Sequence, residues 1–203
     1  RYAPIPETEK FLVRLKYTGG DPYFVFVGAL HPRKNLANLF GAFDLFREET
    51  GIKMKLVIIG QKKWWTTGIK EAYDRMKFSS DVVFCGRLEP QELNRVISSA
   101  TAMTYVSYFE GFGIPILESF HCETPVITSN VTSMPEVAGD AAILVNPFSV
   151  RSIAEGMEKI ASDPSLSAQL NEKARERRNA FSWQKTANRL WLSMEKALDS
   201  NPK

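Results

Sequence analysis

The chain has 203 residues, 44% of them hydrophobic and 24% charged, which suits one sizeable soluble core, or at most two small ones, and no extended repeat or disordered architecture. Its formal net charge is +3, from 26 basic and 23 acidic residues. That is too mild to imply a nucleic-acid partner, yet it leaves room for a local cationic pocket.

Residues 1–10, RYAPIPETEK, are polar and contain two prolines. Together with the next ten they read as a linker, residues 1–20, and the chain as a fragment cut from something longer. Six runs of β type follow: 23–28 (YFVFVG), 54–60 (MKLVIIG), 81–86 (DVVFCG), 100–107 (ATAMTYVS), 125–128 (PVIT) and 141–146 (AAILVN). Most are continuously apolar, the pattern of parallel strands covered on both faces.

Helical spacing lies between most of these runs. Leu36, Leu39, Phe40, Phe43 and Phe46 share one face, with Asn35 as expected N-cap and Gly51 past the end. Pro90 and Pro115 each suit a first helical turn. Ser133 resembles an N-cap for a short helix, with Glu136 pairing or capping locally. From Ser149 onward the pattern is helical. It ends over 181–203 in an amphipathic stripe of Trp183, Ala187, Leu190, Trp191, Met194 and Leu198, capped by Ser182. Such a stripe is usually core packing, and here it could also cover a missing partner domain. The β-α alternation implies a doubly wound, Rossmann-like parallel sheet over 21–180, whose ligand sits at the carboxyl ends of the strands.

Cys85 and Cys122 show no CxxC or Cys/His spacing, which argues against a disulfide framework or zinc site. Both are expected as small buried core residues in a reducing, cytoplasmic setting. No run approaches the roughly 18 apolar residues of a membrane span. No Asp-x-Asp pair points to a divalent metal, and no Walker-type loop, GxSxG or HExxH occurs.

The residues best suited to chemistry stand after the strands. In Glu110-Gly-Phe-Gly-Ile-Pro-Ile-Leu-Glu118, Gly111 and Gly113 allow a tight turn and close backbone approach to a ligand. Pro115 starts a helix whose N-terminal amides make an anion site. Glu118, one turn in, can accept both hydroxyls of a ribose, while Glu110 lies beyond the phosphates. The loop Gly28-Ala-Leu-His-Pro-Arg-Lys-Asn35 offers Arg33 as a fork and Lys34 as a point charge for a diphosphate. Gly86, Arg87 and Leu88 after the third strand could read a nucleobase edge, although Arg87 alone is as readily a surface residue. Trp64 and Trp65 after the second strand could wall a pocket but are more often packed. His121 is more often a packing residue than a base.

Together, VGALHPRKNL, LVIIGQKKWW, VVFCGRLEPQELNRVISSA, EGFGIPILE, PVITSNVTSMPEVAGDAAILVNP and FSWQKTA resemble the carboxyl-terminal domain of retaining glycosyltransferases of family 4, which have the GT-B fold. The resemblance runs from about residue 20 to the end. It implies that an amino-terminal domain outside this chain binds the acceptor, and makes any membrane contact at the inner face, while this half binds a GDP- or UDP-linked sugar. Glu118 would hold the ribose, Glu110 the transferred sugar, Arg33 and Lys34 the diphosphate, and the amides of Phe112, Gly113 and Ile114 would help neutralise it. A hexose, with a lean toward mannose, would pass to a hydroxyl with retention and without metal or cofactor. Ala29 stands where many relatives carry arginine, a role Arg33 would take over. Ser119-Phe-His-Cys-Glu123 replaces a run of small residues, and Lys63 a glycine. A sugar-nucleotide epimerase of the same fold would need more acid/base residues than the sequence offers. A non-catalytic nucleotide-binding module is opposed by the intact glutamate pair. The chain alone is expected to bind nucleotide weakly and to be inactive.

Overall fold

The computed structural model describes residues 2–199. All six apolar runs form strands: β1 (Tyr23–Val27), β2 (Lys55–Ile59), β3 (Val82–Gly86), β4 (Ala102–Tyr105), β5 (Val126–Ser129) and β6 (Ile143–Val145). They make one parallel sheet in the order β3-β2-β1-β4-β5-β6. β1 is central, with Val25 opposite Val57 on one side and Met103 on the other. All five of its residues are buried, which is why the run shows no polar alternation.

The period of two survives inside that run as a division between two cores. Phe24, Phe26, Leu56 and Ile58 face one core, while Tyr23, Val25, Val57 and Ile59 face the other. The first core is closed by α2 (Leu36–Thr50), α3 (Thr67–Asp74) and α7 (Val150–Ser162). The second is closed by α1 (Glu7–Thr18), α4 (Pro90–Ser98), α5 (Ile114–His121) and α6 (Met134–Ala138), while α8 (Pro164–Arg177) packs on both, through Leu166 and Leu170 on the first and Ala174 on the second. Each fully buried phenylalanine contributes about 2 kcal/mol of hydrophobic stabilisation, so Phe24, Phe26, Phe40, Phe43 and Phe46 anchor the α2 side.

Several local expectations are corrected. Within residues 1–20, read as a linker, α1 occupies Glu7–Thr18. It buries Val13 and docks on α4 through Lys16 and Tyr17, both bonded to Glu92. Its two acidic residues in the first turn and Gly19 at the C-cap favour a helix that the opening prolines obscure. Asn35 does hold the N-cap position of α2, but in a left-handed conformation and without a side-chain cap. Its Nδ2 donates instead to the carbonyls of Val106 (2.9 Å) and Pro147 (2.7 Å), tying together the loops after β1, β4 and β6. Cys122 is buried as expected, whereas Cys85 is half-buried on edge strand β3. Trp65 packs against Phe40, Tyr73 and Phe84, while Trp64 is exposed beside His31.

The last helix, α9 (Trp183–Asp199), carries the amphipathic stripe, but the stripe is not core. Trp183 is 83% exposed, Trp191 61% and Leu198 77%. Ser182 caps it by accepting from the Lys185 amide at 3.1 Å. Because α9 buries so little against the domain, ending the chain after Phe181 is expected to lower the melting temperature by no more than about 2 °C. A thermal melt showing a much larger drop would mean that α9 belongs to the folding unit. Among the described residues, no helix is long and apolar enough to cross a membrane.

Candidate functional site

The sheet order reverses between β1 and β4. From β1 the chain winds outward through β2 and β3, then returns to β4 on the other side. Loops leaving the carboxyl ends of these two neighbours diverge to opposite faces, and the crevice between them is where such folds bind ligands. The loop after β1 holds Arg33 and Lys34; the loop after β4 holds Glu110.

These three side chains meet there. Lys34 lies in a short 3-10 turn, Pro32–Lys34, held by the His31 ring, which accepts from the Arg33 amide at 3.1 Å. Lys34 Nζ donates to Glu110 Oε1 at 2.6 Å and to the Tyr105 hydroxyl at 2.8 Å. Arg33 Nη1 donates to Glu110 Oε2 at 2.8 Å and to the Phe109 carbonyl at 2.9 Å. Lys34 and Glu110 are each only 8% exposed, whereas the Arg33 side chain is 42% exposed. The backbone locks the two loops, with the Tyr108 amide on the Arg33 carbonyl at 2.9 Å.

Burial alone would raise the Glu110 carboxyl. The hydrogen bond from Lys34 and the charges of Lys34 and Arg33 outweigh it and hold Glu110 below its ordinary value. The Ser107 hydroxyl does this from nearby without closing a hydrogen bond of good geometry. For Lys34 the balance is different. Burial lowers its pKa, and the bond to Glu110 only partly offsets that. Burial and Glu110 both push the Tyr105 phenol up, so it stays neutral.

The Gly111–Gly113 turn leads directly into α5. Gly113 has φ 106°, a left-handed conformation that favours glycine. Phe112 (41% exposed) and Ile114 (49%) turn outward. Among the described residues, the amides of Phe112 and Gly113 meet no protein acceptor, so they point to an anion site at the helix start. Ser133 does not cap α6. Its hydroxyl lies 2.9 Å from the carbonyls of both Glu110 and Phe112, which share its one proton, and Thr132 Oγ1 accepts from the Glu110 amide at 3.3 Å. The segment after β5 thus braces the turn from behind. The Glu136 side chain is exposed, and it is its carbonyl that receives Arg177.

Glu118 sits one turn into α5, apart from the Arg33–Lys34–Glu110 cluster. Burial raises its pKa, and the nearby Tyr2 phenol opposes the rise. Gly28, Arg87 and Leu88 line a cleft of about 360 Å³ at the ends of β1, β2 and β3, with Gly60, Gln61 and Pro90. Gly86 closes the strand beside it, its carbonyl accepting from the Gly60 amide at 2.8 Å. The structure therefore brings Arg33, Lys34 and Glu110 into contact. It places Gly28, Gly86, Arg87 and Leu88 on one flank and the Glu118 helix on another.

Four contributors were not singled out from sequence: Tyr105, Tyr2, Thr132 and Ser133 in its bracing role. Only Tyr105 left a signal. A tyrosine ending a buried apolar strand needs a partner for its hydroxyl.

The model of the family described as glycosyl transferases group 1 matches residues 8–177. The chain is 30% identical over 184 residues to the O-antigen chain mannosyltransferase B of Escherichia coli, covering 90% of this chain and 48% of that protein. It is 29% identical over 177 residues to the serotype-specific mannosyltransferase WbdA of Escherichia coli, covering 85% and 22%. The chain thus spans about half or less of the length of these relatives. Among solved structures, the sucrose-phosphate synthase of Thermosynechococcus elongatus superposes with a TM-score of 0.82 at 22% identity, over 98% of this chain and 50% of that one. The C-terminal domain of a glycosyl transferase group 1 family protein from Francisella tularensis gives 0.74 at 18% identity, over 88% and 94%. Switch-point crevice, glycine turn and paired glutamates, with a family match over most of the sequence, show that this chain belongs to the glycosyl transferases group 1 family.

Proposed function

We propose that this chain is the donor-binding part of a retaining glycosyltransferase that moves a hexose from a nucleoside-diphosphate sugar to an acceptor hydroxyl. The carrying observation is the switch-point cluster, where one carboxylate holds two cations beside a helix N-terminus. A diphosphate fits between Arg33, Lys34 and the Phe112–Ile114 amides. The nucleobase then falls into the cleft of Arg87 and Leu88, and the ribose toward Glu118. The sugar extends to Glu110.

In such a reaction the bond from the anomeric carbon to the diphosphate breaks as negative charge grows on the leaving oxygen. Fixed donors aimed at that charge lower the barrier, and two cations with helix amides supply them without a metal. Glu110, kept ionised, can hydrogen-bond the sugar hydroxyls and favour positive charge developing on the ring. Mannose is the sugar this reading prefers, because the similar proteins are named mannosyltransferases, with GDP ahead of UDP as carrier. The acceptor site is assigned to a part of the protein outside this chain, at the cytoplasmic face of a membrane.

The test is calorimetric titration of GDP, UDP and ADP into the chain and into Glu118→Ala. One nucleotide should bind selectively. Loss of two charge-assisted bonds to the ribose should weaken it about a hundredfold. Equal binding by both proteins would remove Glu118 from the site.

A further inference from the structure

We propose that Tyr105 is a positioning residue of this site, its hydroxyl fixing the Lys34 ammonium where the donor's diphosphate must pass. The inference rests on the donor-binding reading and adds a residue that reading does not use.

Tyr105 ends β4 and is 1% exposed. The strand is otherwise built for a dry interior, and a hydroxyl buried there is costly unless it is bonded. Its partner is Lys34 Nζ at 2.8 Å, and the same ammonium stands 4.7 Å from the ring centroid. An ammonium has three hydrogens. One goes to Tyr105 and one to Glu110 at 2.6 Å, which leaves the third for a phosphate oxygen. The two inward bonds fix its direction.

The Tyr105 bond differs in kind from the Glu110 bond. Glu110 must turn toward the sugar when a donor binds, and the diphosphate competes with it for Lys34 and Arg33. Tyr105 is fixed in the sheet, buried, and stays neutral. It is the acceptor that stays with the lysine throughout. The groups facing Lys34 are Glu110 from the loop after β4, Tyr105 from β4 and Arg33 from its own turn, with Ser107 beside Glu110. Burial works against the charged lysine and Arg33 adds to that. An acceptor bonded to the charged form opposes that loss, and the Tyr105 hydroxyl at 2.8 Å is one.

Tyr105→Phe removes one oxygen and keeps the ring. GDP, UDP and ADP would be titrated into wild type, Tyr105→Phe, Lys34→Met and the double variant, at about pH 7.5 and about pH 9.5, below and near the ordinary lysine range. For the nucleotide that binds best, Tyr105→Phe should lose about tenfold in affinity at the lower pH. The loss should be larger at the higher pH, because removing an acceptor moves lysine deprotonation downward; the ligand's own titration is common to both proteins. In the Lys34→Met background, Tyr105→Phe should change affinity by no more than about twofold. An equal loss in that background, or a pH profile parallel to wild type, would overturn the proposal by showing a packing role only. Nucleotide binding by wild type with none of it lost in Tyr105→Phe would overturn it alone. No binding by a folded wild-type chain would remove the donor reading and this inference together.

Discussion

Glu110→Ala is expected to lower stability by about 2–4 kcal/mol, because it leaves a buried lysine without its counter-charge. Lys34 is 8% exposed and has only the neutral Tyr105 hydroxyl left to bond. Arg33, more exposed, can turn to water. Glu110→Gln keeps an acceptor for Lys34 and should cost less. The pH dependence has a definite sign. Glu110 is held below the ordinary 4.5 in the folded state, so the unfolded chain binds more protons across that interval. Its contribution is fully present above about pH 4.5 and fades as pH falls through the folded value. The stability gap between wild type and Glu110→Gln should therefore be widest near neutrality and close in acid. Urea titrations at several pH values would show it, and a gap independent of pH would mean that the carboxylate's charge is irrelevant to the fold. On the proposed donor-binding function, either substitution should reduce hexosyl transfer by a protein containing this domain about a thousandfold, as loss of one preorganised charge-stabilising group does elsewhere.

That experiment separates the two duties of one side chain, and the sequence shows only one of them. The Glu110–Glu118 spacing, the glycines and the proline are local features, so the turn and its helix were legible, as were all six strands. The ion pairs were not. Arg33 and Lys34 lie more than seventy residues before Glu110, and only the β1–β4 adjacency joins them. Both cations were assigned to a phosphate, which leaves out that the protein itself supplies an anion to them. The same non-local cause hid Ser133. Its position before a short helix imitates a cap, yet its hydroxyl is drawn to the Glu110 and Phe112 carbonyls, acceptors that only the folded sheet brings near. Asn35 is a third case, its amide spent on Val106 and Pro147. The α9 stripe is a different case. Periodicity tells which face of a helix is apolar, not whether this chain contains what covers it.

Gly60→Ala is expected to cost at least about 3 kcal/mol, the upper range for overpacking, and to abolish nucleotide binding with it. A glycine after a β run reads as an ordinary turn residue, but this one marks a close crossing of backbones. A methyl at Gly60 would stand 1.8 Å from the Gly28 carbonyl oxygen and 2.8 Å from Leu30 Cδ1. Neither can yield cheaply. Leu30 is fully buried, and the Gly28 amide is tied to the Ile59 carbonyl at 2.9 Å while the Gly60 amide holds Gly86 at 2.8 Å. The loops after β1 and β2 would have to separate, and these loops floor the cleft beside Arg87 and Leu88. Gly28→Ala is the control. Its nearest contact is the flexible Lys34 Cε at 3.5 Å, an ordinary separation, so strain at φ 153° and a nudged lysine should weaken diphosphate binding more than stability. Chemical denaturation and nucleotide titration of both variants would decide. A Gly60→Ala protein as stable as wild type would mean that the two strand ends do not meet as described, and the cleft they form would lose its claim to the base.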